Sequence, residues 1–189
     1  MVSDTVCRAW ILTAVGKDRP GIVAQVTKIL FTLGCNLEDS SMTRLGGEFA
    51  IMLVFSSSKP MTTQRVEQAC NPISSTLKLA VHLKPLARSE ASSKLAKRLH
   101  FISVYGADRP GIVYRVSQLL ADLRINITDV STHRTTPKRD GRAKPLYLML
   151  LEVELPSTVS AEGLEARLQK LGGRLGCEVS LRSSETDIL

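Results

Sequence analysis

The chain has 189 residues, 43% of them hydrophobic, so it holds one ordinary domain or two small ones with packed cores. No apolar run approaches the ~18 residues of a membrane-spanning helix, and Met1-Val-Ser-Asp4 lacks the charged-then-apolar opening of a signal peptide, so a cytoplasmic protein without a membrane partner is expected. The net charge of +7 is spread out, with nine Lys/Arg against six Asp/Glu in residues 1–84, four against one in 85–99 and twelve against eleven in 100–189, and it identifies no nucleic-acid-binding face.

Cys7 to Val15 reads as a first strand ending at Gly16. Asp18-Arg19-Pro20-Gly21 follows. Asp18 is expected to cap the coming helix, and Pro20 suits a first turn, where backbone donors have no helical partner. Gly21 has no Cβ, so a ligand can approach the backbone there. Ile22, Val23, Val26, Ile29, Leu30 and Leu33 recur in steps of three and four, which predicts an amphipathic helix closed by Gly34. Asn36 opens a second strand, Leu37 to Arg44. Leu45-Gly-Gly-Glu48 then turns tightly into a third, Phe49 to Phe55. Ser56-Ser-Ser-Lys-Pro60 is expected as a polar turn. It leads to a second helix with Val66, Cys70, Ile73 and Leu77 on one face and a break near Asn71 imposed by Pro72. Leu79 to Leu83 closes the half.

Lys84 to Arg98 is basic and serine-rich, as a linker is. The expected division is a first domain over 1–84, a linker over 85–99 and a second domain over 100–189 whose tail frays after Arg182.

The second domain repeats the first. Residues 16–44 and 106–134 are identical at fourteen of twenty-nine positions at an offset of ninety. Asp108-Arg109-Pro110-Gly111 stands where Asp18 to Gly21 stood, Ile112 begins the matching helix, and Asn126 matches Asn36. The second hairpin is longer by about seven residues and basic, with Arg134, Lys138, Arg139, Arg142 and Lys144 against Asp140; it reads as a solvated loop, or as a dock for an acidic partner. Leu164, Leu168, Leu171 and Leu175 match the second helix of the first half at an offset of ninety-eight, and Cys177 to Leu181 is the last strand. Each half is therefore βαββαβ, an α+β ferredoxin-like arrangement of two helices over one face of a four-stranded antiparallel sheet.

The four cysteines are scattered without a CxxC pair and read as free thiols in a reducing compartment. His82 and His100 have no metal-ligand partners at suitable spacing, and His133 stands alone on a strand, so neither a metal nor another cofactor is expected.

Strand, Gly, Asp-Arg-Pro-Gly-Ile-Val, amphipathic helix, Asn, strand resembles the ACT domain, the small-molecule-sensing module of amino-acid metabolism. Two copies and little else, with Gly34-Cys-Asn-Leu-Glu-Asp-Ser40 followed by Gly47-Glu-Phe49, resemble the glycine cleavage system transcriptional repressor family. In that family the second loop tends to be less faithful, whereas both copies here keep Asp-Arg-Pro-Gly. A broader tandem regulator, or two working sites, therefore stays open. The resemblance implies ligand binding at the loop and the start of the second strand, often between neighbouring ACT domains. The implied positions are Asp18, Pro20, Gly21, Ile22 and Asn36, with Asp108, Pro110, Gly111, Ile112 and Asn126.

These readings favour a non-catalytic regulator that binds a small amino acid, glycine or serine first, and thereby alters its meeting with a protein partner. A paired eight-stranded sheet, formed within the chain or across a dimer, would cover exposed strand edges, and a homodimer is expected. Transcriptional control of glycine and one-carbon metabolism is one setting. The alternative is an interaction module that needs no ligand. An enzyme is disfavoured, since no nucleophile–base pattern, phosphate loop or dinucleotide fingerprint is present. RNA-recognition modules share the topology, but only 4% of residues are aromatic and the third strands lack the basic-aromatic signature, so direct nucleic-acid binding is not expected.

Overall fold

The computed structural model describes residues 6–86, 98–135 and 145–184. The chain divides into two compact units, Met1–Ser93 and Lys94–Leu189. In the first, β1 (Val6–Lys17), α1 (Ile22–Thr32), β2 (Cys35–Leu45), β3 (Glu48–Thr62), α2 (Thr63–Ser75) and β4 (Ala80–Leu86) follow in order. In the second, β5 (Leu99–Ala107), α3 (Ile112–Asp122), β6 (Asn126–Arg134), β7 (Leu146–Glu154), α4 (Ala161–Leu175) and β8 (Cys177–Ser183) repeat the pattern. The sheets have strand orders β2-β3-β1-β4 and β6-β7-β5-β8, with antiparallel neighbours throughout. This is the expected ferredoxin-like fold, twice.

Alternation along the central strands explains where each core lies. Trp10, Leu12 and Ala14 of β1 and Phe49, Ile51, Leu53 and Phe55 of β3 point to one face and are buried. They meet Ile22, Val26 and Leu30 of α1 and Val66, Cys70 and Ile73 of α2. Ile102, Val104, Met149, Leu151 and Val153 do the same in the second unit, under Ile112, Val116, Leu120, Leu164 and Leu168. Trp10 stacks on Phe55 with ring centroids 5.8 Å apart, which anchors the first core. The first hairpin turn uses Gly46 and Gly47 at φ 60° and 84°, positive at both central positions as a type I′ turn requires.

Three expectations are corrected. Ser56 to Pro60 is not a turn. β3 continues to Thr62, with Ser56 opposite Asn36 and Ala9 and Met61 opposite Cys7, and the slack is taken up by an irregularity between Cys7 and Ala9. Alternation of small polar residues gave no hydrophobic period to mark the strand. Pro72 does not break α2, which runs through it to Ser75. Pro72 lies in the last turn, so it forfeits a single ladder bond near the helix end, and its carbonyl still accepts from Thr76 and Leu77 at 2.9 and 3.1 Å. The last strands run longer than expected, β4 to Leu86 and β8 to Ser183. Pro85 and Leu86 pair with Trp10 and Ala9, and Leu99 pairs with Glu154 at the start of β5, so three residues assigned to the linker belong to sheets. Residues 87–97, most of the basic hairpin (136–144) and the tail after Ser184 lie outside the described residues.

The two units exchange glycines for basic residues at equivalent turns. Gly34 after α1 has φ 71° where Arg124 has φ 56°, and Gly176 after α4 has φ 69° where Lys78 has φ 56°. A side chain in this left-handed region costs about 1 kcal/mol. Arg124→Gly and Lys78→Gly are therefore expected to stabilise their units by about 0.5–1 kcal/mol each in denaturant unfolding; a loss of stability would contradict the strain argument. All four cysteines are free thiols, and burial, followed by the nearby Cys35, pushes Cys70 up to about 11. Cys70 should resist an aromatic disulfide reagent near pH ~8 until the protein unfolds, as mass spectrometry of the labelled chain would report.

Candidate functional site

The candidate site is the junction where β1 meets α1, and again where β5 meets α3. Each strand ends against the start of the last strand of its own sheet. A Cβ on Gly16 would lie 2.8 Å from Leu79 Cδ2 and 3.2 Å from the Lys78 carbonyl; on Gly106 it would lie 2.9 Å from Cys177 Sγ and 3.0 Å from the Gly176 carbonyl. The glycine one residue before the end of each strand is thus required by packing.

The next residues strap the loop down. The Asp18 N–H donates to the Gly47 carbonyl at 3.1 Å, and its carboxylate meets Arg44 Nη1 at 3.4 Å. Arg19 turns the other way and donates from Nη2 to the Leu77 and Thr76 carbonyls at 2.6 and 3.3 Å, just past the end of α2. The second loop repeats this: Asp108 N–H to the Pro145 carbonyl at 3.1 Å, Asp108 to Arg134 at 2.7 Å, and Arg109 Nη1 to the Leu175 carbonyl at 3.3 Å. Neither Asp caps a helix, contrary to expectation: the N-cap positions fall three residues later, at Gly21 and Gly111, and each carboxylate meets an arginine of the second strand of its unit. The arginines are not merely solvated; they satisfy carbonyls at a helix C-terminus, where a cation is favoured. Arg44 and Arg134 were missed as partners, although they are identical at the ninety-residue offset.

Pro20 and Pro110 precede the helices instead of entering them, and Gly21 and Gly111 are the N-caps, at φ 91° and 92°. This left-handed conformation suits glycine, and the Gln25 and Arg115 side chains stand beside it, with Gln25 Nε2 3.7 Å and Arg115 Nε 4.0 Å from where a Cβ would lie. The helical ladder begins at Gln25 and Arg115, which donate to the Gly21 and Gly111 carbonyls at 3.0 Å. Before it come the N–H groups of Ile22, Val23 and Ala24, and of Ile112, Val113 and Tyr114. No side chain caps α1 or α3, and neither has an acidic residue in its first turn. By contrast, Thr62 and Ser160 cap α2 and α4, accepting from the Arg65 and Gly163 N–H groups at 3.3 and 3.1 Å. The helix starts at the repeated loops are thus the uncapped ones, and their donors and dipole favour an anion. Ile22 and Ile112 themselves point inward and are buried.

Asn36 and Asn126 are exposed and lie elsewhere. Asn36 is level with Ser56 and Ala9, and Asn126 with Glu154 and Leu99. From those rows to Asp18 or Asp108 is nine residues of strand, roughly 30 Å. Within one unit the loop and its Asn therefore sit at opposite ends of the sheet. Asn36 Nδ2 donates to Glu38 at 3.1 Å. Hydrogen bonds from Ser56, first, and from Asn36 hold the Glu38 carboxyl below its ordinary value.

The two loops also differ. Where Phe49 underlies the first, Tyr147 underlies the second, with its hydroxyl screened from solvent. Burial, and secondarily Asp108, raise its phenol above the ordinary value, while the Thr132 hydroxyl acts in the opposite direction. Arg19→Ala and Arg109→Ala should each cost about 1 kcal/mol of stability, with Lys recovering part of it because it keeps a charged donor. Thermal or denaturant unfolding that leaves either variant unchanged would remove the strap from the account.

ACT-domain family models match residues 9–84 and 100–173. The glycine cleavage system transcriptional repressor of Escherichia coli (strain K12) is 28% identical over 171 residues, covering 90% of this chain and 87% of that one. A solved structure of an unknown protein from Galdieria sulphuraria shares the fold with a TM-score of 0.79 at 22% identity, covering 93% of this chain and 98% of the other. A solved structure of a candidate glycine cleavage system transcriptional repressor shares it with a TM-score of 0.68 at 22% identity, covering 93% and 96%. With two family matches that between them span most of its length, on two units of the same fold, this chain belongs to the ACT-domain family as a tandem pair of ACT domains.

Proposed function

We propose that this protein is a non-catalytic, cytoplasmic regulator that binds a small amino acid and so alters its association with a protein partner. The observation that carries the reading is the uncapped helix start behind a left-handed glycine, present in both units. It suits a carboxylate, which would accept from the N–H groups after Gly21 or Gly111. The side chains nearest these glycines, Gln25 and Arg115, are polar, and glycine or serine is the ligand expected. The similarity to the glycine cleavage repressor favours transcriptional control of glycine and one-carbon metabolism, exerted through a DNA-binding partner.

The distance from loop to Asn adds a requirement. β2 and β6 are edge strands, and each runs parallel to the strand that feeds the loop. Antiparallel pairing of such an edge with its equivalent in a second copy would carry the second copy's Asn36 or Asn126 to the loop end. The Asn amide, both donor and acceptor, would then hold the ligand's other end. Pairing also covers an exposed edge. The site is accordingly proposed as shared in a homodimer, with Asp18, Pro20, Gly21 and Ile22 (or Asp108, Pro110, Gly111 and Ile112) from one chain and the Asn from its partner. Ligand binding would then shift the population of the paired state.

A ligand-independent interaction module is the second reading. It is favoured by the internal use of Asp18 and Arg19, which accounts for two loop residues without a ligand.

Calorimetric titration with glycine, serine and other amino acids should give saturable binding to the wild type. Gly21→Val and Gly111→Val should each remove binding at one loop while circular dichroism stays native. Gly21→Val and Asn36→Ala, both made in a Gly111→Val background and each silent alone, should regain binding when mixed, because the mixed dimer holds one intact loop with one intact Asn. No binding by the wild type to any amino acid would leave the interaction module. Binding without recovery on mixing would place the site within one chain.

A further inference from the structure

We propose that the groove between α3 and α4 of the second unit docks an acidic amphipathic segment of a partner protein. The groove holds about 560 Å³ and is lined by four cations, Arg115, Arg167, Lys170 and Arg174, against one carboxylate, Asp122. Its floor is apolar, with Leu119 and Leu171. Asp122 is occupied by the Gln118 amide at 2.8 Å. Among the described residues the ion pairs lie elsewhere, at Asp18–Arg44 and Asp108–Arg134, so the four cations are unpaired.

The arrangement follows from helical periodicity. Arg167, Lys170 and Arg174 stand at i, i+3 and i+7 of α4 and so share one flank, while Glu162 and Glu165 fall on the opposite flank. The helix separates its charges, and the positive side faces α3. The internal repeat supplies a control. At the equivalent positions of the first unit stand Gln25, Ala69, Pro72 and Thr76 in place of the four cations, with Lys28 where Gln118 stands. The core positions of the same helices stayed apolar in both units. The charge is therefore not a demand of the fold.

The groove's chemistry selects the occupant. Carboxylates spaced along a helix match cations at i, i+3 and i+7, and leucine-like side chains between them would cover Leu119 and Leu171. α4, with fifteen residues, offers about 22 Å of contact, suited to a helical or extended segment. A phosphate backbone would leave the apolar floor uncovered and would meet Asp122, so an acidic protein segment is favoured over nucleic acid.

This inference rests on the regulator reading for its purpose but not for its chemistry, and the two are tested separately. The probe is a fluorescent peptide of about sixteen residues with Glu and Asp on one helical face and Leu on the other, titrated against the full chain and read by anisotropy. Saturable binding is expected, weakening at least about tenfold between ~50 and ~300 mM salt and at least about tenfold in Arg167→Glu/Arg174→Glu. The milder Arg115→Gln/Lys170→Gln pair should weaken it less, and Lys28→Glu in the first unit should leave it unchanged. No saturable binding, binding indifferent to the groove variants while circular dichroism is native, or tighter binding of a single-stranded oligonucleotide lost in the same variants would overturn the proposal. Amino-acid binding should persist in Arg167→Glu/Arg174→Glu, whose residues lie on α4 away from the loop. Its absence in the wild type, with peptide binding intact, would count against the sensor reading alone.

Discussion

Each unit turns on one awkward backbone position. After the first strand the chain must reverse into a helix that lies back across the sheet, and it does so through a residue at φ near 90°. Glycine takes that conformation at little cost, whereas another residue would be strained. The turn then needs holding, and the two residues before the proline do this in opposite directions. The Asp carboxylate reaches the second strand and the Arg guanidinium reaches the end of the second helix. One short loop thereby ties strand, hairpin and helix together, and the core beneath keeps its register.

That strap has a functional side. Because glycine holds the N-cap position and Asp18 and Asp108 meet arginines instead, no side chain caps α1 or α3. The other two helices are closed by Thr62 and Ser160. Had the aspartates capped their helices, as such residues commonly do, the loops would be occupied by their own carboxylates. The same electrostatics that stabilise the junction also leave room for an external anion.

Duplication allows the second unit to be read against the first. Core positions and loop residues are shared, as expected where packing and backbone geometry limit choice. The units diverge beneath the loop, where Tyr147 stands for Phe49, and on the surface, where α4 has a cationic flank and α2 has neutral residues. The two units retain one architecture while presenting different chemistry to their surroundings.

The sequence by itself determined the two-unit architecture, the faces that form each core and the loops that carry the candidate site. These depend on local periodicity, on glycine's freedom and on a repeat at a fixed offset, all visible along the chain. It misplaced what depends on register. Nothing local showed that β3 continues through Ser56 to Pro60, nor that Pro72 falls late enough in α2 to be tolerated. Only the tertiary structure decided which partners Asp18 and Arg19 find, because those partners lie twenty-six and fifty-eight residues away. It also decided that Asn36 stands at the far end of its own sheet from the loop it had been grouped with. Two strands joined by a helix run parallel, so the end of one and the start of the next are separated by the length of the sheet.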